Sequence, residues 1–162
     1  MIVIADSSAL VALAICEALP LLEPLFGEIK VPQAVFEELN ITNKAQSHAL
    51  TLFLNDKITA VTLPIAHIER NGGLGKGELE AIALYKQTGA DLLLIDDARA
   101  KKVAYINNVE VMGSLGVLLL AKQQGLLTAL SPLLDRLRDS DIFVSDDLLE
   151  RILMMANELS AK

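Results

Sequence analysis

DLLLIDDARAKK, residues 91–102, sets a fully apolar run of strand length directly before two adjacent carboxylates, Asp96 and Asp97, and then a segment of helical character. The chain opens in the same way: MIVIADSSAL, residues 1–10, passes from a β-rich stretch over Met1–Ala5 into Asp6, Ser7 and Ser8. Outward from these two stretches, short strands alternate with helices. The pattern predicts a helix over 9–17 with a serine N-cap, a short proline-punctuated helix closing at Gly27, and a strand over 29–31. Pro32 suits the first turn of a helix over 33–39. A helix over 44–55 follows, with Ala45, Ala49, Leu52 and Phe53 on one face, then an alternating strand over 58–63. After the glycine-rich loop NGGLGKG (71–77) come a helix over 78–88 stopped by Gly89, a strand over 91–95, a helix over 97–106, a strand over 109–112 and a helix over 114–124. Such alternation predicts a parallel α/β sheet.

In a parallel α/β fold the C-terminal ends of the strands and the starts of the following helices share one rim. Acids scattered along the chain therefore converge there. The candidates are Asp6, Glu38 in VPQAVFEEL, Glu78 in GLGKGELEAIAL, and the pair Asp96 and Asp97. Clustered carboxylates repel one another unless a cation sits between them, and a hard divalent ion takes oxygen ligands. The pattern points to a metal-dependent phosphodiester hydrolase. Each acid also has a purely structural use. Asp6 can cap the next helix, and Glu78 can complement a helix dipole. One of Asp96 and Asp97 can cap the helix beginning near Ala98 while the other ligates. Adjacent helical residues point about 100° apart, so of Glu37 and Glu38 only one can face a shared site. Glu38 flanks Leu39 on the apolar side.

Several other chemistries are excluded. The lone Cys16 cannot form an intramolecular disulfide or a cysteine-rich zinc site, and its apolar surroundings mark it as a small buried hydrophobe. GKG lacks the Ser or Thr that a Walker loop requires after its lysine. His48 and His67 have no zinc-site spacing, and no nucleophile elbow is present. The apolar stretch from Ala9 to Leu22 is interrupted by Glu17 and Pro20 and is too short to span a bilayer. A cytoplasmic protein without a membrane partner is expected. The net charge of −7 argues against indiscriminate nucleic-acid binding, although bound cations would locally invert an acidic field. Arg99, Lys101 and Lys102 form a local basic strip after the acid pair.

The last stretch changes character. Residues 128–139 and 145–160 predict two helices separated by a small IFV segment, with Ser145 as an N-cap. Leu148, Leu149, Ile152, Leu153, Met155, Ala156 and Leu159 give the final helix a wide apolar face, which must bury against the domain or against another copy. The expected organisation is a domain over 1–125 with a helical extension over 126–162, packed on that domain or on a dimer partner.

The order of motifs resembles the PIN-domain family. Strand-Asp-Ser-Ser at the N-terminus, VPQAVFEEL, GKGELEAIAL, DLLLIDDARA and GSLGVLLLAK (113–122) carry the likeness, which is nearest to the VapC-like toxins and their solitary prokaryotic relatives. The resemblance implies a Rossmann-like three-layer fold and a Mg²⁺- or Mn²⁺-dependent endoribonuclease. By motif, it implies Asp6, Glu38, Glu78, Asp96 and Asp97 as catalytic and metal-holding residues. Many relatives carry threonine where this chain has Ile95, so both aspartates of the pair stay candidates. Ser7 or Ser8 would supply a hydroxyl beside the first acid, and Ser114 a second small polar group. The implied partners are an RNA substrate, a cognate antitoxin and a second copy of the chain. The other outcome is a PIN-like module that binds RNA or protein with little or no catalysis.

Overall fold

Ile2–Ala5 (β1), the apolar run IVIA, lies at the centre of a five-stranded sheet. Glu28–Pro32 (β2) pairs with one side of it and Leu92–Leu94 (β4) with the other, so that Val3 stands opposite both Ile29 and Leu92. Ile58–Thr59 (β3) and Val111–Met112 (β5) form the edges, giving the order β3-β2-β1-β4-β5 with every pairing parallel. The computed structural model describes residues 1–41, 46–69 and 72–159. Lys44 and Ala45 of the expected 44–55 helix, Asn71 of the glycine loop and Ser160 of the expected last helix lie outside them.

Parallel strands need crossovers. Ser7–Ile15 (α1) and Leu22–Phe26 (α2) lead from β1 to β2, and Gln33–Ile41 (α3) and Ser47–Leu54 (α4) from β2 to β3. Lys76–Thr88 (α5) returns to β4, Ala98–Ile106 (α6) leads to β5, and Ser114–Gln123 (α7), Ser131–Arg138 (α8) and Asp146–Met155 (α9) follow. Successive strand side chains point to opposite faces, and the core divides accordingly. Val3, Ala5 and Leu94 join Leu10 and Leu13 of α1, Leu118 of α7, Leu134 of α8 and Leu149 of α9 in one cluster. Ile4, Leu93 and Ile95 join Ile82, Leu84, Ala100 and Val103 of α5 and α6 in another. The result is a three-layer α/β fold, a parallel sheet between helices. A fully buried leucine in either layer contributes about 1.5–3 kcal/mol of apolar transfer free energy. Among the described residues no single helix is long and apolar enough to cross a membrane.

Several boundaries differ from the sequence expectation, for local reasons. Asp6, not a serine, caps α1, and the helix begins at Ser7. Glu17 adopts a positive φ of 55° just beyond its end. The strand expected over 58–63 stops at Thr59 because the Gln87 side chain takes the next backbone groups. It accepts from Thr62 N and Leu63 N at 2.6 and 3.2 Å and donates to Ala60 O at 2.9 Å. α5 starts at Lys76, two residues early, which places Glu78 in its first turn. α8 starts at Ser131, with Pro132 in its first turn, rather than at 128. The IFV segment forms no strand. α9 ends at Met155, and Asn157, with φ of 60°, turns the chain so that Glu158 N donates to Leu153 O.

Glu158 then closes the C-terminal packing. Its carboxylate accepts from Lys122 Nζ and Leu130 N, both at 2.7 Å, and from Ser131 N at 3.1 Å, tying α7, the start of α8 and the end of α9 together. Leu149 of α9 is fully buried in the larger cluster. Leu149→Ala is therefore expected to lower stability by about 2–5 kcal/mol in urea unfolding, the cost of a truncated core leucine. A loss below about 1 kcal/mol would show that α9 docks loosely.

Candidate active site

The strand order reverses beside β1, because β2 leaves it on one side and β4 on the other. At such a switch point the loops leaving adjacent strands part and open a crevice at the carboxyl ends. Asp6 follows β1 at once, and its N–H continues the ladder to Leu94 O at 2.9 Å. Asp96 follows β4 by two residues. Ser8 joins the two: its hydroxyl donates to Asp6 Oδ2 and accepts from Asp96 N, both at 2.9 Å.

Each remaining acid arrives on a helix or caps one. Glu38, on α3, accepts from Ser7 Oγ at 2.9 Å. It lies so close to α5 that a Cβ at Gly77 would overlap Glu38 Oε1 and stand 2.8 Å from its Cδ. Asp97 caps α6, accepting from Ala100 N at 3.0 Å through Oδ1. Asp96 is gripped by the start of α7, where Ser114 N donates to Oδ1 at 2.6 Å and Ser114 Oγ to Oδ2 at 2.7 Å. Asp6, Glu38, Glu78, Asp96 and Asp97 line one cavity of ≈ 560 Å³, with Phe143 at its rim. The structure thus brings all five acids singled out in the sequence around a single space, and Ser7, Ser8 and Ser114 each hold one of them.

The electrostatics are those of crowded anions. Burial pushes the Asp6 carboxyl above the ordinary value of 3.8, against the lowering effect of its Ser8 and Ser7 hydrogen bonds, and Glu38 adds to the rise. Glu78 is raised as well, first by burial and then by Asp6 and Asp97. Two carboxylate oxygens, Asp6 Oδ1 and Glu78 Oε2, are buried without a hydrogen-bond partner among the described residues. A buried unpaired carboxylate oxygen is costly. An all-oxygen set of carboxylate donors fits a hard divalent cation, and the two orphaned atoms are the ones left free for it. As they stand, no three His, Cys, Asp or Glu side chains among the described residues close into a group that could hold an ion.

The neighbouring polar residues have other uses. Glu37 is exposed and accepts from Gln33 Nε2 at 3.2 Å. Glu80 accepts from Ala34 N at 3.2 Å, satisfying a free amide at the start of α3. His48 and His67 are exposed. Cys16 is buried, its thiol pushed up to about 11 by burial and its Sγ donating to Leu133 O at 3.5 Å. Arg99 Nη1 donates to Gly73 O at 3.2 Å and so anchors the glycine loop. Sequence reasoning missed Gly77, Gly113, Ile142 and Phe143. The two glycines carried a signal, since each stands directly before a residue of the site, Glu78 or Ser114. Residues 142 and 143 carried none, because only the docking of α8 and α9 brings them here.

The model of one protein family, described as a PIN domain, matches residues 2–158. Comparison with curated proteins and with solved structures gave no match.

Asp6 gives a prediction on pH. Its carboxyl is raised in the folded state, so the folded protein binds that proton more tightly than the unfolded chain does. The corresponding stability is fully present below the unfolded value of 3.8 and is lost as pH rises through the folded value; Glu78 acts in the same sense. With a chelator present, Asp6→Asn is expected to raise the thermal midpoint at neutral pH, and the gain should shrink as pH is lowered toward the unfolded value. Equal midpoints for the two proteins at pH 7 would contradict this.

Proposed function

The chain belongs to the PIN-domain family, whose members are generally nucleases, and on that premise we propose that it is a divalent-metal-dependent endoribonuclease. The observation that carries the reading is the pair of buried oxygens without a partner among the described residues, Asp6 Oδ1 and Glu78 Oε2, in a cavity walled by five carboxylates. Asp6, Glu38, Glu78, Asp96 and Asp97 would hold Mg²⁺ or Mn²⁺. A divalent ion bound there supplies positive charge against the phosphoryl oxygens and acidifies the attacking water.

The chain's own residues fix the donors. Ser8 sets Asp6 and Ser7 sets Glu38 by hydroxyl hydrogen bonds, so neither side chain has to be ordered at the moment of binding. Ser114 engages both oxygens of Asp96, leaving their remaining lone pairs directed by a rigid helix start. Asp97 spends Oδ1 on its cap and presents Oδ2. Asp6 and Glu78, each with a free buried oxygen, are the two direct donors best prepared by the fold.

The toxin of a toxin–antitoxin pair is the biological setting proposed, with RNA as substrate, a cognate antitoxin as inhibitor, and a homodimer. It rests on the likeness of the motif order to VapC-like proteins. For the homodimer there is also the exposure of Leu148, Met154 and Met155 on α9, 40, 41 and 60%. We further propose that residues 126–162 act with 1–125 as one unit, with the segment after α8 walling the site. A second reading has its own support: the net charge of −7, and Ile95 where many relatives carry threonine, suit a binding module with little catalysis.

RNA cleavage separates the two. Purified wild type is expected to cut unstructured RNA with Mg²⁺ or Mn²⁺ and not with EDTA. Ser114→Ala should lower the rate about 10–100-fold, as loss of a residue that orients a ligand does, and Asp6→Asn by at least about 100-fold. A folded wild type that cuts none of several RNAs would favour the binding module.

A further inference from the structure

Phe143 is 91% exposed. One exposed aromatic side chain needs no explanation in itself; its position does. It stands with Ile142 and Asp96 where the carboxylate cavity meets a second cavity of ≈ 480 Å³. That second space is lined by Leu115, Leu137, Val144 and Leu148 together with Lys101 and Ser114. Lys101 is the one cationic residue lining either cavity among the described residues. Its Nζ has no hydrogen-bond or ion-pair partner among them, and it lies 3.2 Å from where a Cβ on Gly113 would be, beside Asp96.

An exposed ring, a mainly apolar pocket and an uncommitted ammonium group are the parts that a flexible, anionic, base-bearing chain uses. Aromatic faces stack on nucleobases irrespective of sequence, while a lysine meets the phosphate as a point charge. The second cavity therefore suits a base and the first the adjoining phosphodiester. In a duplex both faces of each base are already stacked, so the ring of Phe143 has nothing to cover. We propose that the cavity beside Phe143 is a nucleobase subsite, with Phe143 as the stacking face and Lys101 as the contact to the flanking phosphate. The proposal rests on the nuclease reading above and names the residues outside the carboxylate cluster that hold the substrate.

The test measures binding apart from cleavage. A labelled, unstructured 12-nucleotide RNA and the same strand in a duplex are titrated by fluorescence anisotropy with Ca²⁺ as the hard cation. Wild type should favour the single strand. Phe143→Ala should weaken single-strand binding about 5–100-fold, the range for loss of one stacked base, and Phe143→Leu should lose most of that too, because it restores apolar area without a ring. The protein has no tryptophan, so Phe143→Trp supplies a lone indole at the site, excited selectively near the red edge of its absorption. It should keep affinity and be quenched as the RNA binds. Lys101→Ala should lower the slope of log affinity against log salt by about 0.7.

Phe143→Ala or Phe143→Leu binding like wild type, an unquenched Phe143→Trp, or duplex bound as tightly as single strand would each overturn the subsite. If wild type cleaves RNA while the Phe143 variants bind and cleave like it, only the subsite fails, and the exposed ring serves a protein contact instead. If wild type neither binds nor cleaves any RNA, the nuclease reading fails with it.

Discussion

The parallel register between β1 and β4 is the constraint on which the site depends. It ends two apolar strands side by side, so that Asp6 and Asp96 leave the sheet within one residue of the same level and the Ser8 hydroxyl can reach both. A chain that placed several carboxylates on one rim would be driven apart unless something opposed the repulsion. Four helices, α1, α5, α6 and α7, begin at that rim with Asp6, Glu78, Asp97 and Ser114 at or near their first turns. Each N-terminus carries the equivalent of roughly half a positive charge. The same free amides that need partners at a helix start find them here in the acids, as in Ser114 N to Asp96 and Ala100 N to Asp97.

Structural and functional uses of these acids are therefore not alternatives. Asp6 caps α1 through Oδ2 and leaves Oδ1 buried and without a partner among the described residues. Asp97 caps α6 with one oxygen and faces the cavity. The division of labour lies between the two oxygens of a single carboxyl group. Close approach makes the rest possible. Gly77 lets Glu38 press against the start of α5, and Gly113 leaves room between Asp96 and Lys101, its missing Cβ 3.0 Å from Asp96 Oδ1.

Much of this was legible in the sequence because the informative residues sit beside strong local signals. Asp6 and Asp96 follow apolar runs of strand length, and the alternation of such runs with helices implies the parallel sheet whose rim collects them. The ambiguity between Glu37 and Glu38 followed from helical geometry, and contact with Gly77 decides it in space. What stayed hidden depended on long-range partners. The end of β3 is determined by Gln87, a residue some 25 positions away that captures backbone groups a longer strand would have used. The cavity rim at Ile142 and Phe143 depends on how α8 and α9 dock on the layer of α1 and α7. Periodicity within a segment carries no record of either.

The placement of Ile142 and Phe143 has a temporal consequence. Every acid of the site is encoded before residue 98, yet part of the cavity wall comes from a segment made well after it. During synthesis at roughly 5–20 residues per second, the carboxylates exist for on the order of seconds before that wall can close over them. The pocket reaches its finished shape only when the α8–α9 segment has emerged and packed.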